Sequence, residues 1–135
     1  MGAVRIGHGV KIAGNKEVIQ LVKDKGIFLE MCPTSNRQTK AVEEMSAYPL
    51  KAFLEMGLKV TLNTDDPAIE RTTLSREFRY MESLLNLTQE QKRLLLLNSV
   101  EAAFTSRNRK CKLKEQLFSE PYENYGEPII YKRIK

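Results

Sequence analysis

Three short polar clusters in this chain have residue types and spacing suited to hydrolytic chemistry at a cation. Residues 7–9 read Gly-His-Gly, and a ligand can approach His8 closely because its neighbours carry no side chains. Residues 61–67 read Thr-Leu-Asn-Thr-Asp-Asp-Pro. Two adjacent carboxylates, Asp65 and Asp66, repel each other and resist desolvation, so the end of a strand suits them only where positive charge compensates. One Asp can cap a helix or close an Asx turn before Pro67. The other is then free to bind a metal, contact a substrate or share a proton. The third cluster is Glu30 with Thr34, Ser35 and Asn36. Glu30 lies in an apolar run and is either an inward polar contact or an exposed edge residue, whereas Ser35 and Asn36 read as loop-capping residues without chemistry.

Each cluster sits at the end of a run of strand length. Residues 4–7, 27–32 and 58–63 are the strand candidates. Asn15 reads as an N-cap for a helix whose apolar face is Val18, Ile19, Leu21 and Val22, with Gly26 as its stop. The stretch Pro-Thr-Ser-Asn-Arg-Gln-Thr (33–39) reads as loop, and Pro49 opens a helix through about Met56, with Gly57 as its stop. Strands alternating with helices predict βαβ units and a parallel sheet. Ligands bind at the carboxyl edge of such sheets, so His8, Asp65 and Asp66 are predicted neighbours despite nearly sixty intervening residues. Beyond Pro67 the pattern is helical: Leu74, Phe78, Met81 and Leu85 recur at helical spacing, and Thr88 with Gln91 forms a capping box. A third helix is expected over about 111–119. The tail 121–135 has no clear period, and Ile129, Ile130 and Tyr131 read as a short edge strand or as a segment lying against the body.

At 135 residues the chain has the size of one domain, and its 41% apolar and 29% charged residues are those of a globular protein. No run approaches the roughly 18 apolar residues of a membrane span, and the N-terminus lacks a signal-peptide core, so the expected location is cytoplasmic. The net charge of +5 is dispersed except at 107–114 and 131–135, which reads as solvated surface; neither nucleic acid nor membrane is an expected partner. Cys32 and Cys111 form no CxxC pair and read as reduced thiols, Cys32 buried. No nucleophile elbow, Walker loop, HExxH helix, GxGxxG fingerprint or cytidine-deaminase zinc signature is present.

Taken in series, RIGHGV (5–10), LEMCPTSN (29–36), YP (48–49), VTLNTDDP (60–67) and NSVEAAF (98–104) resemble the adenosine deaminase family of zinc-dependent purine deaminases, from about residue 2 to about residue 118. The resemblance implies an α/β fold, the C-terminal part of a (β/α)8 TIM-type barrel, with about three parallel strands followed by C-terminal helices. Residues 1–120 would form this portion and 121–135 the tail. It also implies one Zn2+ ion, and a zinc-activated hydroxide that attacks C6 of the purine as ammonia leaves, so that adenosine becomes inosine in purine salvage. By that resemblance His8 orients and electrostatically stabilises the attacking hydroxide. Asp65 is the aspartate metal ligand and a proton shuttle, and Asp66 hydrogen-bonds the purine at N7. Residues 33–36 support the site.

The chain also departs from the family. The family's HxH metal pair, third histidine ligand and N1-protonating glutamate lie upstream of the Gly-His-Gly strand. His8 is the sole histidine here, and Tyr48 stands where the family commonly has His before Pro. Three strands cannot close an eight-stranded barrel. The expectation is therefore the C-terminal part of a longer deaminase, a piece that joins a separate N-terminal half, or a chain that self-associates through open sheet edges. Alone it would be inactive, with zinc absent or weakly bound. A deaminase acting on adenine or another aminopurine derivative, and a non-catalytic interaction module, are the alternatives. Asp65 and Asp66 would then be an unfilled corner, hydrated, mobile or paired with a cation such as Arg71.

Overall fold

A computed structural model describes residues 2–119, so the tail 121–135 lies outside the described residues. Strands β1 (Arg5–Gly7), β2 (Phe28–Met31) and β3 (Lys59–Leu62) form a parallel sheet in the order β1-β2-β3. The register sets Gly7 beside Glu30 and Glu30 beside Thr61, so all three strands finish at a common carboxyl edge. Helix α1 (Lys16–Asp24) connects β1 to β2, and the side chain of Asn15 caps it by accepting from Val18 N at 3.1 Å. Between β2 and β3 run α2 (Pro33–Gln38) and α3 (Leu50–Glu55). After β3 come α4 (Pro67–Glu70), α5 (Leu74–Leu85), α6 (Gln89–Ala102) and α7 (Arg107–Ser119).

The helices cover one face of the sheet. Leu29, Met31, Val60 and Leu62 point to that face and bury with Phe53 of α3, Met81 of α5 and Leu95 of α6. This continuous apolar layer is what parallel strands need, because each is flanked by crossover helices. The opposite face is polar: Arg5 Nη1 pairs with Glu30 Oε1 at 3.0 Å, and Thr61 Oγ1 accepts from Asn63 Nδ2 at 2.8 Å. Glu30 is thus an inward polar contact and not an edge residue.

Asn63 N donates to Met31 O at 2.9 Å, so odd-numbered residues of β3 turn toward β2 and even-numbered ones turn away. On that outer side Asn98 Nδ2, from α6, donates to Val60 O at 2.8 Å, satisfying a carbonyl that no strand pairs among the described residues.

Two boundaries differ from the sequence expectation. The 33–39 stretch is helical, not loop: Pro33 occupies the first turn, where its fixed φ favours a helix and its missing N–H costs nothing. Thr34, Ser35 and Asn36 are weak helix formers, yet all three are buried and find partners elsewhere in the fold. Helix α7 begins at Arg107, ahead of the expected 111, because Ser106 Oγ accepts from Arg109 N at 3.3 Å and caps the polar first turn.

Candidate functional site

The carboxyl edge brings His8 and Asp65 together. His8 follows β1, and its N–H donates to Glu30 O at 2.8 Å, extending the ladder by one bond. Asp65 follows β3 after Asn63 and Thr64. Both residues lie in the left-handed region, His8 at φ 59° and Asp65 at φ 63°. Side chains other than Gly seldom adopt that conformation, and they cluster where a site demands a particular side-chain direction. The result is His8 Nε2 at 3.5 Å from Asp65 Oδ2.

Gly9, also left-handed at φ 74°, has a packing reason to be glycine: a Cβ there would lie 2.7 Å from Leu29 Cδ2. Gly7 has open space where a Cβ would stand. His8, Asp65 and Gly7 together line two adjoining open hollows, one of about 450 Å3 beside α2 and one of about 460 Å3 toward Cys32 and Ser99.

Asp66 is placed differently. Its Oδ1 accepts from Ile69 N at 3.1 Å and caps α4, while the side chain is exposed and lines neither hollow. Of the adjacent pair, therefore, Asp66 is the cap and Asp65 is the carboxylate left over. Asp65 is not paired with Arg71 among the described residues; its Oδ2 accepts from Ser35 Oγ at 2.7 Å, and no bond to Oδ1 is found among those residues.

Ser35 and Asn36 are more than loop caps. While Ser35 holds Asp65, Asn36 Nδ2 sits 3.0 Å from His8 Nδ1, and Tyr48 Oη donates to Asn36 Oδ1 at 2.8 Å. Behind them is Glu77 of α5, which is fully buried. Its Oε2 accepts from Thr34 N at 3.0 Å, and its Oε1 accepts from the hydroxyls of Thr34 and Thr72. A buried carboxylate requires such donors. Glu77 escaped the sequence reading although a signal was present: it is three residues after Leu74 and four before Met81, on the apolar face where a charge has no place unless it is paired.

The donor set fits one corner of a metal site. His8, Cys32 and Asp65 offer ligand atoms within 4.8 Å of one another. Burial, followed by the charges of Asp65, Glu70, Glu77 and Glu30, pushes the Cys32 thiol up to about 12, and its S–H donates to Glu30 O at 3.3 Å. Metals bind the thiolate, so Cys32 would join His8 and Asp65 as a ligand only by giving up its proton and its bond to Glu30 O. What stands ready is Oδ1 of Asp65 with one imidazole beside it, two of the donors that would surround a tetrahedral ion. Among the described residues no helix is long and apolar enough to cross a membrane.

Comparison with known proteins accounts for this arrangement. The adenosine deaminase family model matches residues 1–120. An adenosine deaminase of Clostridium botulinum (strain Okra / Type B1) is 46% identical over 114 residues, which are 84% of this chain and 34% of that protein. Among solved structures, the adenine deaminase of Arthrobacter aurescens superposes with a TM-score of 0.80 at 30% identity, over 84% of this chain and 35% of its own. The N6-methyl-AMP deaminase of Arabidopsis thaliana gives a TM-score of 0.80 at 25% identity, over 90% of this chain and 36% of its own. The chain spans about a third of the length of the curated relatives it matches. Its three parallel strands and C-terminal helices are the C-terminal part of a (β/α)8 barrel. With its carboxyl-edge histidine and aspartate on that frame, the chain belongs to the adenosine deaminase family.

Proposed function

We propose that this chain supplies the C-terminal corner of the active site of a zinc-dependent deaminase that converts adenosine to inosine and ammonia, and that it is inactive without the remaining metal ligands. The observation that carries the reading is the approach of His8 Nε2 to within 3.5 Å of Asp65 Oδ2. Two left-handed residues from the first and third strands, His8 and Asp65, meet where a barrel binds its substrate. Family membership and relatives named adenosine deaminase support this chemistry.

Asp65 would contribute Oδ1 to the ion, its Oδ2 being occupied by Ser35. Zinc, when bound, supplies a Lewis acid that makes water a stronger nucleophile at neutral pH. His8, held through its other ring nitrogen by Asn36, orients the attacking oxygen at C6. Asp65 takes up a proton from that oxygen and returns it toward the purine. Asp66, whose Oδ2 is unused by its cap, would turn from its exposed position to hydrogen-bond N7 of the ring, and as N7 is an acceptor it would do so with its carboxyl protonated. The other ligands come from a further segment or from a second polypeptide.

The experiment is reconstitution. The chain is mixed with a polypeptide carrying the HxH strand and the third-histidine strand, zinc is added, and loss of adenosine is followed by absorbance. Activity is expected in the mixture and absent from either part, and His8→Ala or Asp65→Ala should abolish it. Deamination of adenosine by the chain and zinc alone would overturn the reading. A second substrate reading has its own support, the adenine deaminase that superposes at 30% identity. A mixture that prefers adenine to adenosine would select it.

A further inference from the structure

We infer that Tyr48 and Asn36 fix the tautomer of His8, keeping the proton of the neutral imidazole on Nε2, the nitrogen that faces Asp65. The inference rests on the reading of His8 as a site residue, and it makes Tyr48 and Asn36 positioning residues.

The argument starts from a buried hydroxyl. Tyr48 is 3% exposed and Asn36 2%. The Tyr48 hydroxyl has one hydrogen-bond partner among the described residues, Asn36 Oδ1 at 2.8 Å. Burial, then the charges of Cys32 and Glu77, push the Tyr48 hydroxyl far above the usual tyrosine range, so it remains a donor. An amide turned the other way would point Nδ2 at the tyrosine oxygen and leave the phenolic O–H buried without an acceptor, the costlier arrangement. Tyr48 therefore decides which end of the Asn36 side chain faces the site.

That end is Nδ2, a donor, 3.0 Å from His8 Nδ1. A donor facing Nδ1 requires a lone pair there, and in a neutral imidazole the proton then sits on Nε2. Nε2 is 3.5 Å from Asp65 Oδ2, the oxygen that Ser35 Oγ also approaches. Two donors thus converge on Oδ2, and Oδ1 is the oxygen left available. His8 in this form presents an N–H to the site and orients by donating.

The test uses the ring nitrogens of the one histidine in the chain. The 15N-labelled full chain is studied by long-range 1H–15N correlation above the imidazole titration range, where each tautomer has its own pattern. The wild type is expected to show Nε2–H. Asn36→Asp presents an acceptor in place of the donor and is expected to move the tautomer ratio toward Nδ1–H by about tenfold, as a charge-assisted hydrogen bond would. Tyr48→Phe frees the amide, and the ratio should fall toward that of the same chain in denaturant, stopping short of it because Asp65 Oδ2 still faces Nε2. A wild type carrying Nδ1–H overturns the inference without any variant. So does a folded Asn36→Asp chain that keeps the wild-type pattern, or a folded Tyr48→Phe chain that does. The reconstitution is a separate readout: Nε2–H in an inactive mixture leaves the tautomer assignment standing and sinks the proposed activity. Nδ1–H in an active mixture does the reverse.

Discussion

Replacing Glu77 with Gln should unfasten the site from below. Three donors converge on the two carboxylate oxygens: the backbone N–H of Thr34 and the hydroxyls of Thr34 and Thr72. An amide has one acceptor end. With its oxygen turned to the two hydroxyls, its NH2 faces Thr34 N–H, donor against donor, in a position with no exposure to water. A hydrogen bond to a charged group is worth about 1.5–3 kcal/mol, and the two hydroxyl bonds weaken as the acceptor loses its charge, so the total loss should be about 3 kcal/mol. For a domain of this size that lowers Tm by roughly 10 °C. Thermal unfolding by circular dichroism measures it, with Glu43→Gln on the exposed surface as a control within about 1 °C. Hydrogen exchange supplies the second readout: the amides of Asn36 and Thr39, bonded to Cys32 O and Ser35 O, should exchange faster in Glu77→Gln before those of β2 do. A Tm within about 2 °C of wild type, with α2 exchange unchanged, would refute the reasoning.

Three further outcomes follow from the same structure. Cys32, its thiol pushed up to about 12 by burial and neighbouring carboxylates, should resist thiol reagents at neutral pH while exposed Cys111 reacts, so labelling should stop at one thiol per folded chain. Because its folded value lies above the 9.0 of a free thiol, the contribution of Cys32 to stability is complete below about 9 and is lost as pH rises toward about 12, which denaturant melts in that window would show. Thr88→Ala removes the hydroxyl that accepts from Gln91 N and breaks the reciprocal capping box of α6, a loss of about 1 kcal/mol in urea denaturation.

The parts of this fold that were legible in the sequence are those whose determinants are local. The runs 4–7, 27–32 and 58–63, which hold β1, β2 and β3, alternate with helices bounded by Asn15, Gly26 and Gly57, and the capping box at Thr88 marks α6 within four residues of sequence. Helix α2 was illegible because its determinants are distant. Thr34, Ser35 and Asn36 carry turn propensity, and what overrides it is Glu77, Asp65, His8 and Tyr48, which lie 12 to 43 residues away in sequence. The same distance hid the supporting side of the site. His8 and Asp65 stand out beside glycine and a second aspartate, while the residues that hold them look like an ordinary polar loop and an ordinary helix. Glu77 was the exception, readable as a carboxylate on an apolar face.

Asp65 allows the strain of this corner to be weighed by itself. Its backbone is left-handed at φ 63°, a conformation that costs a side chain about 1–2 kcal/mol and costs glycine little. Asp65→Ala and Asp65→Gly both remove the carboxylate, its bond from Ser35 Oγ and its approach to His8. Their difference therefore cancels the chemistry and leaves the backbone. At an ordinary helical or extended position Ala is the more stable of the two by about 0.5–1 kcal/mol, because glycine leaves the unfolded chain more freedom to lose. At Asp65 the order should reverse, with Asp65→Gly the more stable by about 1 kcal/mol in urea denaturation. A larger stability for Asp65→Ala would mean that the left-handed turn is not kept once the carboxylate is gone, and that the bonds to Ser35 and His8 impose the conformation. The reversed order would place the cause in the chain itself: the turn from β3 into α4, capped by Asp66, aims residue 65 at His8 before any ligand arrives.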